Sequence, residues 1–242
     1  MKSLIQLSIL FLFFSTACKK DNKSDCFKGT GEIITETREI SGFDSIYVQN
    51  NINVVITIDT IWEIKVEAGE NMLPKIITKV DNGKLSLSNI NQCNFVRSFK
   101  NSIIVFIKLP SIKGIETDGD GYIKSTNIIK VDKLDIKTNN TGDLDLLLNA
   151  GNVSTYIHGS SDVILTGTTA FHNVSIRGTG FAKCSELVTQ ETMLYSNTTG
   201  NAYVNVIKDL NATIAGSGNV YYSGNPKEIK SKIIGSGQLL AY

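Results

Sequence analysis

Three carboxylates carry the spacing in this chain best suited to chemistry. Asp143 and Asp145 stand two residues apart, which puts them on one face of a strand, and Asp162 follows 19 residues after Asp143. If the chain returns on itself at that interval, Asp143 and Asp162 lie about 5 Å apart and Asp145 about 7 Å from Asp143. Carboxylates so close can act as general acid and base on a polysaccharide. His158, Arg177 and Lys183 fall nearby in the same scheme. A plainer fact weighs against catalysis: Asp suits turns on a solvated face. Holding Ca²⁺ is another use of such a cluster, and no Asp-x-Asp-x-Asp-Gly loop supports it. A second set is aromatic. Tyr203 and Tyr221 are 18 residues apart, and Tyr156 and Tyr195 flank Ser175 at the same kind of interval. Such rings offer flat amphipathic surface to a sugar or a partner protein, or they cover the sheet as ordinary cross-strand neighbours. His158 and His172 fall on opposite sides of the strands, so they do not form a metal pair, and His172 reads as a hydrogen-bonded core residue.

Both sets depend on a repeat that must place them. "DGDGYIKS", "NNTGDLDLLL", "HGSSDVILTG", "RGTGFAKCSE", "NTTGNAYVNV", "AGSGNVYYSG" and "IGSGQLLAY" align on Gly121, Gly142, Ser161, Gly180, Gly200, Gly218 and Gly237. The intervals are 21, 19, 19, 20, 18 and 19 residues. Counted from the last six of these anchors, positions −8, −6, −4, +2 and +4 are apolar in 24 of 30 cases, against 10 of 30 for the positions between them. That alternation marks strands with one buried face, and a Gly-rich, strand-rich period near 20 marks a solenoid. The expected fold is therefore all-β: a single-domain β-helix with coils of about 19–20 residues, each winding laid over the one before. The recurring Gly is expected to supply backbone freedom at a tight corner. A lone coil cannot offset its ordering entropy, so the coils must stack. The last winding runs to Tyr242 with no polar cap behind it, which predicts contact with another copy, the N-terminal segment or a partner.

Residues 29–110 alternate less regularly, with a hairpin signal at Asp81-Asn82-Gly83. No helical period runs through ten residues, and no linker divides the chain, so 29–242 reads as one domain.

The N-terminus supplies an address. "MKSLIQLSILFLFFSTACKK" has a basic start and a short apolar run ending in small residues before Cys18, which is the pattern of a bacterial lipoprotein signal. Residues 1–17 are expected to be removed, Cys18 to carry acyl chains, and 18–28 to form a charged flexible tether. A plain secretory signal is the alternative. Cys26 and Cys93 are candidates for one disulfide, and no Cys spacing suits a metal. With 24 Lys and Arg against 23 Asp and Glu, the chain lacks the basic excess of a nucleic-acid binder. Nothing in it calls for a cofactor.

"SGFDSIYVQNNINVVITI", "ENMLPKIITKVDNGKLSLS" and the terminal Gly-Ser-Gly windings resemble the family described as "putative auto-transporter adhesin, head GIN domain", over about residues 29–242. The resemblance implies a β-helical, often lipid-anchored envelope protein and brings no catalytic residues. Together these readings predict a non-enzymatic protein of the cell envelope, anchored at the outer membrane through Cys18, that binds glycan or protein. A self-associating structural module is the alternative, and a carbohydrate-active enzyme using Asp143, Asp145 and Asp162 stands behind both.

Overall fold

A computed structural model describes residues 29–91 and 102–242. Cys18, Cys26 and Cys93, and with them the signal, tether and disulfide expectations, lie outside those residues.

From residue 129 onward the chain winds as the repeat predicts. Strands β11 (Leu144–Gly159), β12 (Asp162–Gly178), β13 (Phe181–Thr198) and β14 (Ala202–Ile214) each span one winding, bent midway, and β10 (Ile129–Thr138) is the second leg of the winding before them. They stack in parallel, with Leu144 opposite Val163 and Gly159 opposite Gly178 between β11 and β12. The stack ends in β15 (Val220–Ser223) and β16 (Glu228–Ile233), both on β14, and β17 (Leu239–Ala241) on β15. Leu144, Val163, Ala202 and Val220 are each 0–1% exposed, so the inward phase read from the sequence is the core. In the last winding that phase opens to solvent, where Ile229 is 41% and Ile233 53% exposed.

The unequal intervals are absorbed in the bend, away from the corner. Between Ile164 and Gly167 the register of β12 against β13 slips by one residue, which accommodates the 20-residue winding. Two further slips against β14 follow, between Cys184 and Val188 and between Thr189 and Glu191. All three are bulges, and the legs on either side of them stay paired.

The corner glycines need space more than a special dihedral. Left-handed backbone occurs at Gly159 (φ 111°) and Gly178 (φ 113°), two residues before the anchors, while none of the anchor glycines has positive φ. A Cβ on Gly218 would sit 1.8 Å from the Gly200 carbonyl oxygen, and one on Gly237 would sit 2.2 Å from that of Gly218. Neighbouring backbones meet there too closely for a side chain. The expectation of backbone freedom is corrected accordingly. Ser161, fully buried at the same position, fits by donating its hydroxyl to the Asn140 carbonyl.

Residues 33–125 use the same ladders in a different order. β2 (Ser45–Asn50) and β3 (Ile52–Ile58) form one winding. Its neighbours are β6 (Lys84–Asn89) with β7 (Ile103–Leu109) on one side, and β8 (Gly114–Gly119) with β9 (Ile123–Ser125) on the other. The first winding is thus sandwiched between two later ones, and here the expected sequential stacking fails. Beyond β6 and β7 the chain reverses. β5 (Ile76–Asp81) pairs antiparallel with β6 through the Asp81-Asn82-Gly83 turn, where Asn82 and Gly83 both have positive φ. β4 (Glu63–Gly69) pairs antiparallel with β7, and β1 (Ile33–Arg38) with β4. This end of the stack is closed by strands running against the ladder.

Candidate functional site

Two outward faces flank the glycine corner. The face after the corner carries the carboxylates. Asp143 precedes β11 and Asp162 opens β12, so the register places them side by side, while Asp145 lies opposite Ile164 on one edge and Lys124 on the other. Asp143 Oδ1 accepts the backbone N–H of Asp162 at 2.8 Å. Asp162 Oδ2 accepts from Lys183 Nζ at 2.6 Å. Asn53, Asn201 and Asn219 take the same post as Asp143, each accepting the N–H of the residue one winding on. The Asp143 carboxylate is therefore part of a side-chain ladder that holds corner to corner. A shallow depression of about 240 Å³ runs past Tyr122, Lys124, Asp143, Asp145 and Ile164.

Further along this face Tyr203 pairs with Tyr221 in register. Their rings stack at 5.0 Å with planes 10° apart, and Tyr242 meets both edge-on at 6.0 and 6.2 Å. Asn219 donates to the Tyr221 hydroxyl. Rings stacked along the ladder turn their faces to each other, and edges and hydroxyls remain for solvent.

The face before the corner is arranged differently. Tyr156 sits opposite Ser175, and Ser175 opposite Tyr195. The two residues are two windings apart, about 9.6 Å at the usual strand spacing, and Ser175 is the residue in their column on the winding between. Tyr156 is 38% exposed. The same winding as Ser175 contributes Asn173, whose Nδ2 reaches the Tyr156 hydroxyl at 3.5 Å, and Arg177, whose guanidinium lies 5.7 Å from the Tyr195 ring centre. His158 stands opposite Arg177. Arg177 and Asn173 escape a reading that stops at the tyrosines. Counting two residues either side of Ser175 finds them.

The remaining reactive groups point inward. His172 is fully buried, its Nε2 3.0 Å from Thr155 Oγ1, and among the described residues its Nδ1 has no partner. Burial pushes its pKa down to about 3, so the ring is neutral. Burial likewise pushes the Cys184 thiol up to about 12, which makes it an unreactive core side chain. A larger open depression of about 690 Å³ lies beside Lys113, Lys130 and Lys133. Lys113 is tied to Asp44 at 2.6 Å and Lys133 to Asp135 at 3.0 Å.

The fold recurs in solved structures. A "putative adhesin" from Bacteroides fragilis is 22% identical, covers 89% of this chain and all of its own, and gives a TM-score of 0.83. A "putative lipid binding protein" from Parabacteroides distasonis is 20% identical over 88% of this chain and 97% of its own, with a TM-score of 0.69. A "putative adhesin" from Parabacteroides merdae is 20% identical over 88% and 98%, with a TM-score of 0.67. No functionally curated protein matches the chain. The family described as "putative auto-transporter adhesin, head GIN domain" matches residues 42–226, and the chain belongs to it.

Proposed function

We propose that this protein is a non-enzymatic, adhesin-like component of the cell envelope, held at the outer membrane by acyl chains on Cys18, that binds glycan or protein along its ladder faces. Family membership supports the adhesin-like part. The observation that carries the binding face is the open pair Tyr156 and Tyr195, set two windings apart with Arg177 and Asn173 between them. On the other face Asp143 and Asp162 are engaged with a backbone N–H and with Lys183, which leaves less free acid–base capacity for the catalytic alternative. The test is capture of envelope material by the immobilised full chain. Wild type retains a defined glycan or protein, and Tyr156→Ala with Tyr195→Ala releases it. Equal retention by the double variant sinks this choice of face. Acylation is tested separately: labelled fatty acid enters the wild type and not Cys18→Ala.

A second reading rests on the last winding, where Ile229 and Ile233 are 41% and 53% exposed. Exposed side chains of the inward phase are a surface on which a second copy can stack end to end. Sedimentation of the full chain against Ile233→Lys is the test. A monomer in both removes this reading.

A further inference from the structure

The notch between Tyr156 and Tyr195 has a chemistry of its own. We infer that it is a subsite for a carboxylated pyranose, with the sugar ring between the two tyrosines and its carboxylate on Arg177. This inference rests on the adhesin-like reading and names the class of ligand for that face.

Three observations carry it. The first is spacing. The windings that carry the two rings are about 9.6 Å apart, so a ring seated over Ser175 lies about 4.8 Å from each of those layers, within the 4.5–7 Å at which ring contacts are favourable. Ser175 is the small residue at the floor and supplies one hydroxyl, and the Arg177 guanidinium lies at the Tyr195 side. Tyr203 and Tyr221, on adjacent windings at 5.0 Å, have no such gap. The second is charge. The outward positions of 154–158, 173–177 and 193–197 form a three-by-three grid that contains His158 and Arg177 and no carboxylate. Some lysines on the ladders are matched by acids, as Lys183 is by Asp162 and Lys137 by Glu116. Among the described residues Arg177 makes no ion pair. Its exposed guanidinium rests near the Tyr195 ring with its donor fork available. The third is polar definition. Asn173 on the opposite side of Ser175 sits within reach of the Tyr156 hydroxyl. A ring entering the notch therefore meets an amide, two phenols and a hydroxyl, which match sugar hydroxyls, and one cation, which matches a carboxylate.

A neutral sugar leaves Arg177 unused, and an acidic peptide leaves the notch over Ser175 unfilled. The preferred ligand has both a ring and a negative charge.

Titration calorimetry of the full chain tests this with oligogalacturonate, a hyaluronan hexasaccharide and sialyllactose. Neutral galacto-oligosaccharide and polyglutamate serve as comparators. At least one carboxylated sugar is expected to bind at least tenfold more tightly than the neutral oligosaccharide and than polyglutamate. Arg177→Gln removes that preference, a loss of tenfold or more. Arg177→Lys restores part of it, because the charge returns without the fork. Tyr156→Ala and Tyr195→Ala each weaken binding severalfold, and Tyr203→Ala leaves it unchanged. All variants keep the wild-type circular dichroism, since these side chains point outward. The inference is overturned if none of the three acidic sugars binds at millimolar concentration, if Arg177→Gln binds as wild type, or if polyglutamate matches the sugars, which would make this an acidic-peptide site. Envelope capture that survives Arg177→Gln overturns the subsite and leaves the adhesin-like reading standing. Sugar binding by a chain that captures nothing from envelopes does the reverse.

Discussion

Residues 129–242 and residues 33–125 are made of the same kind of strand and are joined in opposite ways. In the first region every strand finds its partner one winding away, as Leu144 finds Val163. In the second, partners are remote: Lys113 reaches Asp44, and Tyr122 reaches Asn53, each across 69 residues. The stack can be built winding by winding, each contributing its own interface, as in other repeat proteins. Apart from the local β5–β6 hairpin, the capped region must close several long loops before its pairing is complete. Its first winding, β2 with β3, has neighbours on both sides, so the antiparallel strands outside it and the parallel stack beyond it are both seated on one layer.

The largest expected effect separates the regions by the reach of damage. Ile56 is fully buried in that shared winding, facing Ile107 on one side and Ser125 on the other. Ile56→Ala is expected to cost about 4 kcal/mol and to lower a single cooperative unfolding transition for the whole chain. Val220→Ala, near the far end of the stack, removes less volume and is expected to cost about 1–2 kcal/mol, confined to the last windings. Urea denaturation with hydrogen exchange measures both. If Ile56→Ala loosens only residues 33–125, the two regions do not share a foundation and the comparison breaks.

The corner offers a sharper test within the stack. Gly218→Ala pushes a Cβ against the Gly200 carbonyl, a backbone group that cannot step aside. The expected loss is about 3 kcal/mol, read as lost amide protection beyond residue 200 with protection in 33–125 unchanged. Ser161→Ala removes only the hydroxyl bond to Asn140 and is expected to cost about 1 kcal/mol. Equal costs at the two corners would mean that close backbone approach is not what selects glycine.

Acid probes the stack's interior more than its cap. His172 titrates near 6.5 when unfolded and near 3 when folded, so its neutral ring supports the fold above pH 6.5 and stability falls as pH drops from 6.5 towards 3. Between pH 6.5 and 4.5 the loss amounts to about 2.5 kcal/mol. Carboxylates act lower. Asp44, whose pKa is lowered chiefly by its hydrogen bond from Lys113, gives up its contribution only below its ordinary value near 3.8. His172→Leu should therefore flatten the unfolding profile above pH 4.5. A wild-type profile already flat there would mean that water or movement relieves the buried ring.

The same contrast explains what could be read in advance. Leu144, Val163, Ala202 and Val220 were legible as core because two periods agree at each of them, alternation along the strand and return after about 19 residues. In 33–125 only alternation is present. It identifies strands and faces and says nothing about partners, so the placing of β2 and β3 between two later windings was hidden, while the local Asp81-Asn82-Gly83 turn was plain. Spatial demand at Gly218 and dihedral demand at Gly178 look identical as letters. The columns holding Tyr156, Ser175 and Tyr195 followed from counting, whereas the lean of Arg177 towards Tyr195 is a rotamer choice that spacing does not encode.

Asp143 brings the smallest effect and the finest distinction. As a catalytic carboxylate it would need its charge and its proton. As an acceptor for the Asp162 N–H it needs only a correctly placed oxygen, which Asn53, Asn201 and Asn219 supply at the equivalent corners. Asp143→Asn keeps that oxygen and removes the charge, so stability should change by less than about 0.5 kcal/mol. Asp143→Ala leaves the N–H without its partner and should cost about 1 kcal/mol, the same as Asn201→Ala three windings further on. A matched pair of alanine losses with a silent Asp143→Asn identifies the residue as one tooth of the corner ladder. A large loss in Asp143→Asn alone would separate it from the asparagines and return its charge to the question of function.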